Sequence, residues 1–303
     1  MENVTLKQLR YFEAVAHHLH FGRAAQDCAV SQPAVSVQIK ELEEDLGQIL
    51  FQRHARAIQL TAFGEEFAAR VRPILRAMDD LGDLARAARS GLVGKLRLGV
   101  IPTIAPYLLP RVVSRLNAAF PNVDLRLRET QTDTILRELA EGRLDAALLA
   151  LPTSAPELVE VPLFTERFVL VRGSDDAHKP VPNSETLARM RLLLLEEGHC
   201  FRDQALAFCA PAATAPRESM EGSSLSTLVQ MVASGLGVTL IPEMAIPLET
   251  RSADVSVARF EAPQPARNVG MIWRRNTPLS EQLEKVAEIV RLAATDGNAV
   301  PEP

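Results

Sequence analysis

A change of pattern near residue 90 constrains this chain more than any other feature. Before it, apolar residues recur at helical spacing. After it, short apolar runs alternate with amphipathic stretches, and Ser90-Gly91-Leu92-Val93-Gly94 marks the join with two glycines that end a helix. The chain therefore carries two kinds of fold, and 303 residues with 47% hydrophobic and 23% charged content suffice for two sizeable cores.

In the first part, Leu6, Leu9, Phe12, Val15 and Ala16 predict an amphipathic helix. Gly22 to Ala29 predicts a short second helix. Ser31-Gln32-Pro33 supplies the N-cap and first-turn proline of a third. In that third helix Val35, Ile39, Leu42 and Leu46 form a buried stripe, while Gln32, Ser36 and Lys40 lie four apart on another face. This is the layout of a helix-turn-helix, whose second helix enters the major groove. Gln32 and Ser36 fall toward base edges, Ser31 and Pro33 join them as DNA-binding candidates at the helix start, and Arg23 and Lys40 fall where phosphates would be. Arg53-His54-Ala55-Arg56 leads into Ile58-Gln59-Leu60-Thr61 and predicts a short wing with Arg53 and Arg56 at the DNA backbone. A net charge of -5 gives no overall bias toward nucleic acid, so the DNA expectation rests on these local features.

From residue 64 to 90, Phe67, Val71, Ile74, Met78, Leu81, Ala85 and Ala88 alternate spacings of four and three, a heptad seam that predicts a dimerising helix, with Pro73 bending or delaying it. Three segments result: 1–62 reading DNA, 63–91 linking, and 92–303 regulatory. In the last, strand-like Lys95 to Val100, helical Tyr107 to Phe120, strand-like Val123 to Arg128, helical Thr134 to Gly142 and strand-like Leu144 to Leu151 predict a parallel α/β sheet. Ligands of such sheets sit beyond the strand carboxyl ends, which marks Ile101-Pro102-Thr103 and Thr130-Gln131-Thr132 as site loops. A terminal helix is expected from Leu279 to Ala294, and Thr295 to Pro303 reads as an unstructured tail.

The N-terminus lacks a basic region followed by an apolar run, and no apolar stretch approaches the roughly 18 residues of a membrane span, so a cytoplasmic protein without membrane partners is expected. In that reducing setting three cysteines point to redox chemistry rather than a disulfide framework. Cys200 sits between His199 and Arg202, and cations beside a sulfur favour the thiolate that attacks oxidants, which makes it the candidate nucleophile. Between it and Cys209, Asp203 to Phe208 reads as a short helix. Nine helical residues rise roughly 13.5 Å, so sulfurs so placed cannot bond unless the helix reorganises. The remaining polar features have structural readings. Cys28 is a packing residue, His17, His18 and His20 a solvated helix end without metal-ligand spacing, Asp79, Asp80 and Asp83 a charged helix face, and Trp273 core.

Phe21-Gly22-Arg23-Ala24-Ala25, Ser31-Gln32-Pro33-Ala34-Val35-Ser36 and Leu50-Phe51-Gln52-Arg53 through Leu60-Thr61 resemble the DNA-binding segment of LysR-type transcriptional regulators. The order of parts resembles that family over nearly the whole chain. The implied fold is an N-terminal winged helix-turn-helix, a long linker helix and a periplasmic-binding-protein-like regulatory domain of two α/β sub-domains. Gly198 to Cys209, with Ile101-Pro102-Thr103 and Pro106-Tyr107-Leu108-Leu109-Pro110, resembles the family's hydrogen peroxide sensors. This resemblance implies that Cys200 is oxidised to a sulfenic acid and Cys209 resolves it as a disulfide. It further implies that Thr103, Thr132, His199, Arg202, Asp203 and Arg267 surround the peroxide. Its implied partners are promoter DNA, RNA polymerase, hydrogen peroxide and a cellular dithiol or glutathione-dependent reductant. The assembly it implies is a homotetramer, a dimer of dimers, without cofactor or metal and without enzymatic turnover. Two rivals share part of the pattern. One is a LysR-type regulator sensing a small metabolite, and the other is a thiol peroxidase or oxidoreductase, against which stand the DNA-reading segment and the lack of a Cys-x-x-Cys.

Overall fold

A computed structural model describes residues 4–54, 57–87, 92–209 and 220–295, without the side chains at 53, 54 and 57. The chain separates into two compact units, Met1–Leu84 and Ala85–Pro303. Arg56, Ser90, Gly91 and residues 296–303 of the expected tail lie outside the described residues, as does the side chain of Arg53.

The first unit opens with α1 (Leu6–His18), started by a capping box in which Thr5 and Gln8 satisfy each other's free backbone groups. Next come α2 (Phe21–Asp27) and α3 (Gln32–Leu46). His20 is no mere solvated residue: its Nδ1 accepts from the backbone N–H of Gly22 and Arg23 at 3.0 and 3.2 Å and so caps α2. β1 (Phe51–His54) and β2 (Ala57–Leu60) pair antiparallel as the wing. Phe12, Val35, Leu42 and Leu50 are fully enclosed, with the Phe12 ring 5.4 Å from Phe51 and 5.0 Å from Phe67.

The helix α4 (Ala62–Ala87) runs through Pro73 without interruption, so the proline does not delay it. Thr61 holds its start, accepting from Gly64 N at 2.9 Å and donating to Ile49 O at 2.7 Å. Gly64 is required there because a Cβ would come within 2.3 Å of Leu50 O. The expected seam divides along its length. Phe67 and Val71 pack into the core of their own unit, whereas Ile74, Met78 and Leu81 stand exposed.

In the second unit the elements are β3 (Gly94–Val100), α5 (Ala105–Ala119), β4 (Val123–Glu129), α6 (Thr132–Ala140), β5 (Ala146–Leu151), β6 (Leu158–Gly173), α7 (Ser184–Arg189), β7 (Leu192–Leu195), α8 (Cys200–Cys209), β8 (Met220–Gly222), α9 (Leu225–Ala233), β9 (Val238–Pro242), α10 (Ile246–Glu249), β10 (Val255–Arg259), β11 (Ala266–Arg274) and α11 (Ser280–Thr295). Thr295 thus closes the last helix rather than opening the tail.

Strand order is β4-β3-β5-β11-β6-β9-β7-β8, with β10 on β6. The sheet is mixed, not wholly parallel. Both β4 and β5 run parallel to β3, as β8 and β9 do to β7, but β11 and β6 are antiparallel to each other and to their outer neighbours. The reason is connectivity. The chain leaves one lobe along β6 and returns along β11, so the two crossing strands must oppose. Each lobe has its own core, one around Leu98, Leu148 and Trp273 and the other around Leu170, Leu193 and Ile241. Among the described residues no helix is long and apolar enough to cross a membrane.

Candidate functional site

Between the lobes lies a small, nearly closed cleft, lined by Ile101, Pro102, Thr103, Gln131 and Thr132 from one side and by Gly198, His199 and Cys200 from the other. The lining loops follow β3, β4 and β7, the strand ends where open α/β sheets place ligands. Cys200 is the first residue of α8, partly exposed, and packs against the core of the first lobe. Cys209 is the last residue of the same helix and sits within the core of the second lobe, 1% exposed. The two free thiols therefore stand at opposite ends of a ten-residue helix, against different cores. Burial pushes the Cys209 thiol up to about 11, so it stays protonated near neutral pH.

Of the residues implied as peroxide partners, Thr103, Thr132 and His199 line the cleft beside Cys200. The Thr132 hydroxyl oxygen is buried and has no hydrogen-bond partner among the described residues. His199 is 9% exposed, and burial pushes its imidazole below the ordinary value, outweighing the opposite pull of Glu196. A neutral ring can accept a proton at one nitrogen, but it is not the cation expected beside Cys200. The sign of this shift predicts a pH effect. A base whose folded value is depressed contributes stability above its unfolded value of about 6.5 and loses it as pH falls toward the folded value. Urea unfolding followed from pH 7.5 to 5.5 should show the wild-type regulatory unit losing more stability than a His199→Asn variant.

Arg202 is placed away from the cleft. Its guanidinium donates to Leu195 O at 2.8 Å and pairs with Glu221 at 2.7 Å, and it is absent from the cleft lining. Asp203 is exposed and likewise outside the lining. Because α8 begins at Cys200, Arg202, two residues further on, is turned roughly 200° around the axis from it.

Arg267, on β11, reaches the cleft only through Thr103. It donates to Thr103 Oγ1 at 2.7 Å and Thr103 O at 2.9 Å, and pairs with Glu166 of β6 at 2.7 Å. Its guanidinium also lies 5.5 Å from the Phe201 ring centre, just behind Cys200. Nothing in the sequence flagged Glu166 or Ser226, and Tyr107 carried no role within its motif; the Tyr107 and Ser226 hydroxyls donate to the buried Glu249 carboxylate at 2.6 and 2.5 Å and tie α5 to the second lobe.

In the first unit Ser31, Gln32, Pro33, Arg23 and Lys40 are exposed and Ser36 partly so, with Lys40 paired to Glu44 at 3.4 Å. Val37, 54% exposed, shares the face of Gln32, Pro33, Ser36 and Lys40. It was missed because the buried-stripe reading looks only for apolar residues that face inward.

A winged helix-turn-helix joined to a two-lobed α/β unit is the architecture of a ligand-responsive regulator. Residues 6–65 match the bacterial regulatory helix-turn-helix protein model of the lysR family, and residues 89–294 match the LysR substrate binding domain. The chain belongs to the LysR family of transcriptional regulators, proteins that bind DNA and are not enzymes. It is 43% identical to a probable hydrogen peroxide-inducible genes activator of Streptomyces viridosporus, over 96% of this chain and 95% of that one. It is also similar to a full-length OxyR of Pseudomonas aeruginosa in which a cysteine is replaced by aspartate, at 37% identity, 99% of both chains and a TM-score of 0.78. A Corynebacterium glutamicum OxyR cysteine-to-serine mutant with hydrogen peroxide bound matches at 34% identity over 97% of this chain and 94% of that one, with a TM-score of 0.68.

Proposed function

We propose that this protein is a cytoplasmic hydrogen peroxide sensor that regulates oxidative-stress genes, switched by a reversible disulfide between Cys200 and Cys209. One observation carries the reading: a partly exposed thiol at the head of α8 faces a small polar cleft, and a second thiol is stored in another core at the far end of that helix. The Cys200 thiolate attacks one peroxide oxygen, the O–O bond breaks, and hydroxide leaves to be protonated to water, giving a sulfenic acid. The Cys209 sulfur then displaces the hydroxyl as a second water and forms the disulfide, which a cellular dithiol or a glutathione-dependent reductant reverses.

Each cleft residue has a task in this scheme. Helix α8 presents its positive end to the reacting sulfur. Because Thr103 Oγ1 accepts from Arg267, its own proton is free to point at a peroxide oxygen, so Arg267 acts through Thr103. The unpartnered Thr132 hydroxyl and the neutral His199 ring supply the other contacts. Arg202 and Asp203 act, in this scheme, only after α8 reorganises. The metabolite-sensing alternative is disfavoured by size, since the closed cleft is far smaller than the roughly 300–1,000 Å³ of ordinary small-molecule sites.

Residues 1–62 read promoter DNA, 63–91 link, and 92–303 sense. Gln32, Ser36, Ser31, Pro33 and Val37 face the bases, the last through a thymine methyl, while Arg23, Lys40, Arg53 and Arg56 meet phosphates. The disulfide changes the arrangement of these readers in a homotetramer, a dimer of dimers, and thereby recruitment of RNA polymerase. A footprint on promoter DNA with reduced and with peroxide-treated protein tests the reading; identical footprints would refute it. Gln32→Ala should weaken operator binding by about 1–3 kcal/mol, near 5- to 150-fold, and leave random-duplex binding unchanged. Competition gel shifts at fixed salt check this, and equal losses on both duplexes would remove Gln32 from base readout.

A further inference from the structure

The cleft has an inner wall and a rim. Ile101, Thr103 and His199 are buried, at 2%, 3% and 9% exposure, whereas Gly198 is exposed and Gln131 only half-buried. Those two rim residues come from opposite lobes and touch. Gly198 has a φ of +91°, and a Cβ there would lie 2.6 Å from Gln131 Oε1 and 2.9 Å from its Cδ, so the amide occupies the space a side chain at 198 would fill. From the same position Gln131 Nε2 donates to Glu197 O at 3.4 Å, a long bond. Gln131 caps the start of α6 by position, yet its side chain makes no capping bond and is spent across the cleft instead. Just behind it lies the unpartnered hydroxyl of Thr132.

We propose that Gln131 is the size-selecting residue of the cleft. Its side chain, packed against Gly198 and reaching Glu197 O, fills the rim and closes it to hydroperoxides larger than hydrogen peroxide. The inference rests on the reading of Cys200 as the peroxide-reactive thiol. Close packing makes the rim selective, because a well-filled contact yields little to an added organic group.

The test measures the rate of sulfenic acid formation at Cys200 in full-length Cys209→Ser protein, by dimedone trapping and mass spectrometry, with hydrogen peroxide and with cumene hydroperoxide. Gln131→Ser keeps a residue suited to a helix N-cap and empties the rim. Gln131→Met refills it without an amide. In Gln131→Ser the ratio of the hydrogen peroxide rate to the cumene hydroperoxide rate should fall at least tenfold, and Gln131→Met should restore most of that discrimination. A purely structural role would move both rates together, and an unchanged ratio in Gln131→Ser overturns the proposal while leaving the sensor reading intact. If the parent protein forms no sulfenic acid at Cys200 with either oxidant, the sensor reading falls and takes this inference with it.

Discussion

Peroxide-treated Cys209→Ser protein should carry one added oxygen on Cys200 and no disulfide, and Cys200→Ser protein should carry neither. The expected loss of disulfide is complete in both, which makes this the largest effect on function. The asymmetry follows from where the thiols sit. Cys200 opens to the cleft and can meet an oxidant in the folded protein. Cys209 is enclosed, and burial holds it as a thiol, the unreactive form. Intact-mass and peptide mass spectrometry after alkylation read both products, and an unmodified Cys200 in the Cys209→Ser protein would refute its assignment as first target. The Cys209→Ser promoter footprint should stay that of the reduced protein once peroxide is removed.

Arg267→Met should destabilise the regulatory unit by about 3–5 kcal/mol, the usual cost of leaving a buried charge without its partner. Both side chains of the pair are enclosed, at 0% and 4% exposure, so water cannot replace the lost cation. Burial already pushes the Glu166 carboxyl above the ordinary carboxylate range, with Arg267 pulling the other way. An acid whose folded value is raised contributes stability below its unfolded value of about 4.3 and loses it as pH rises through the folded value. Without Arg267 the value rises further, so the deficit relative to wild type should be greatest near pH 7 and narrow as pH falls. Urea unfolding at several pH values tests this, and Glu166→Gln in the Arg267→Met background should recover much of the loss. A deficit that does not change with pH would exclude an ionised Glu166 as its source.

What could be read from the residues depended on how local the governing contacts are. The helix-turn-helix was legible because Val35, Ile39 and Leu42 declare their face within one helix. The relation of Cys200 to Cys209 was legible because both lie on one short element, although α8 includes the cysteines themselves and not only the residues between. The direction of Arg202 was not legible, because adjacency along the chain is not adjacency in space and its guanidinium turns to Leu195 O. Pro162, a residue without an N–H, lies inside β6 all the same. In the fold it faces Gly270 where the register of β11 shifts, and the strand absorbs it. The Arg267–Glu166–Thr103 network joins residues 101 and 164 positions apart, and no periodicity reports such contacts.

In the proposed switch, the enclosure of Cys209 in the second lobe also acts as a clock. Sulfenic acid accumulates in proportion to oxidant, but closing the bridge waits for α8 to let go of its core. Past a certain dose the speed of signalling is therefore a property of the polypeptide and no longer of its surroundings. In that scheme a flash of peroxide shorter than the interval, cleared while the first sulfur is still reducible, would leave transcription undisturbed, and the promoter would follow sustained stress and filter out noise.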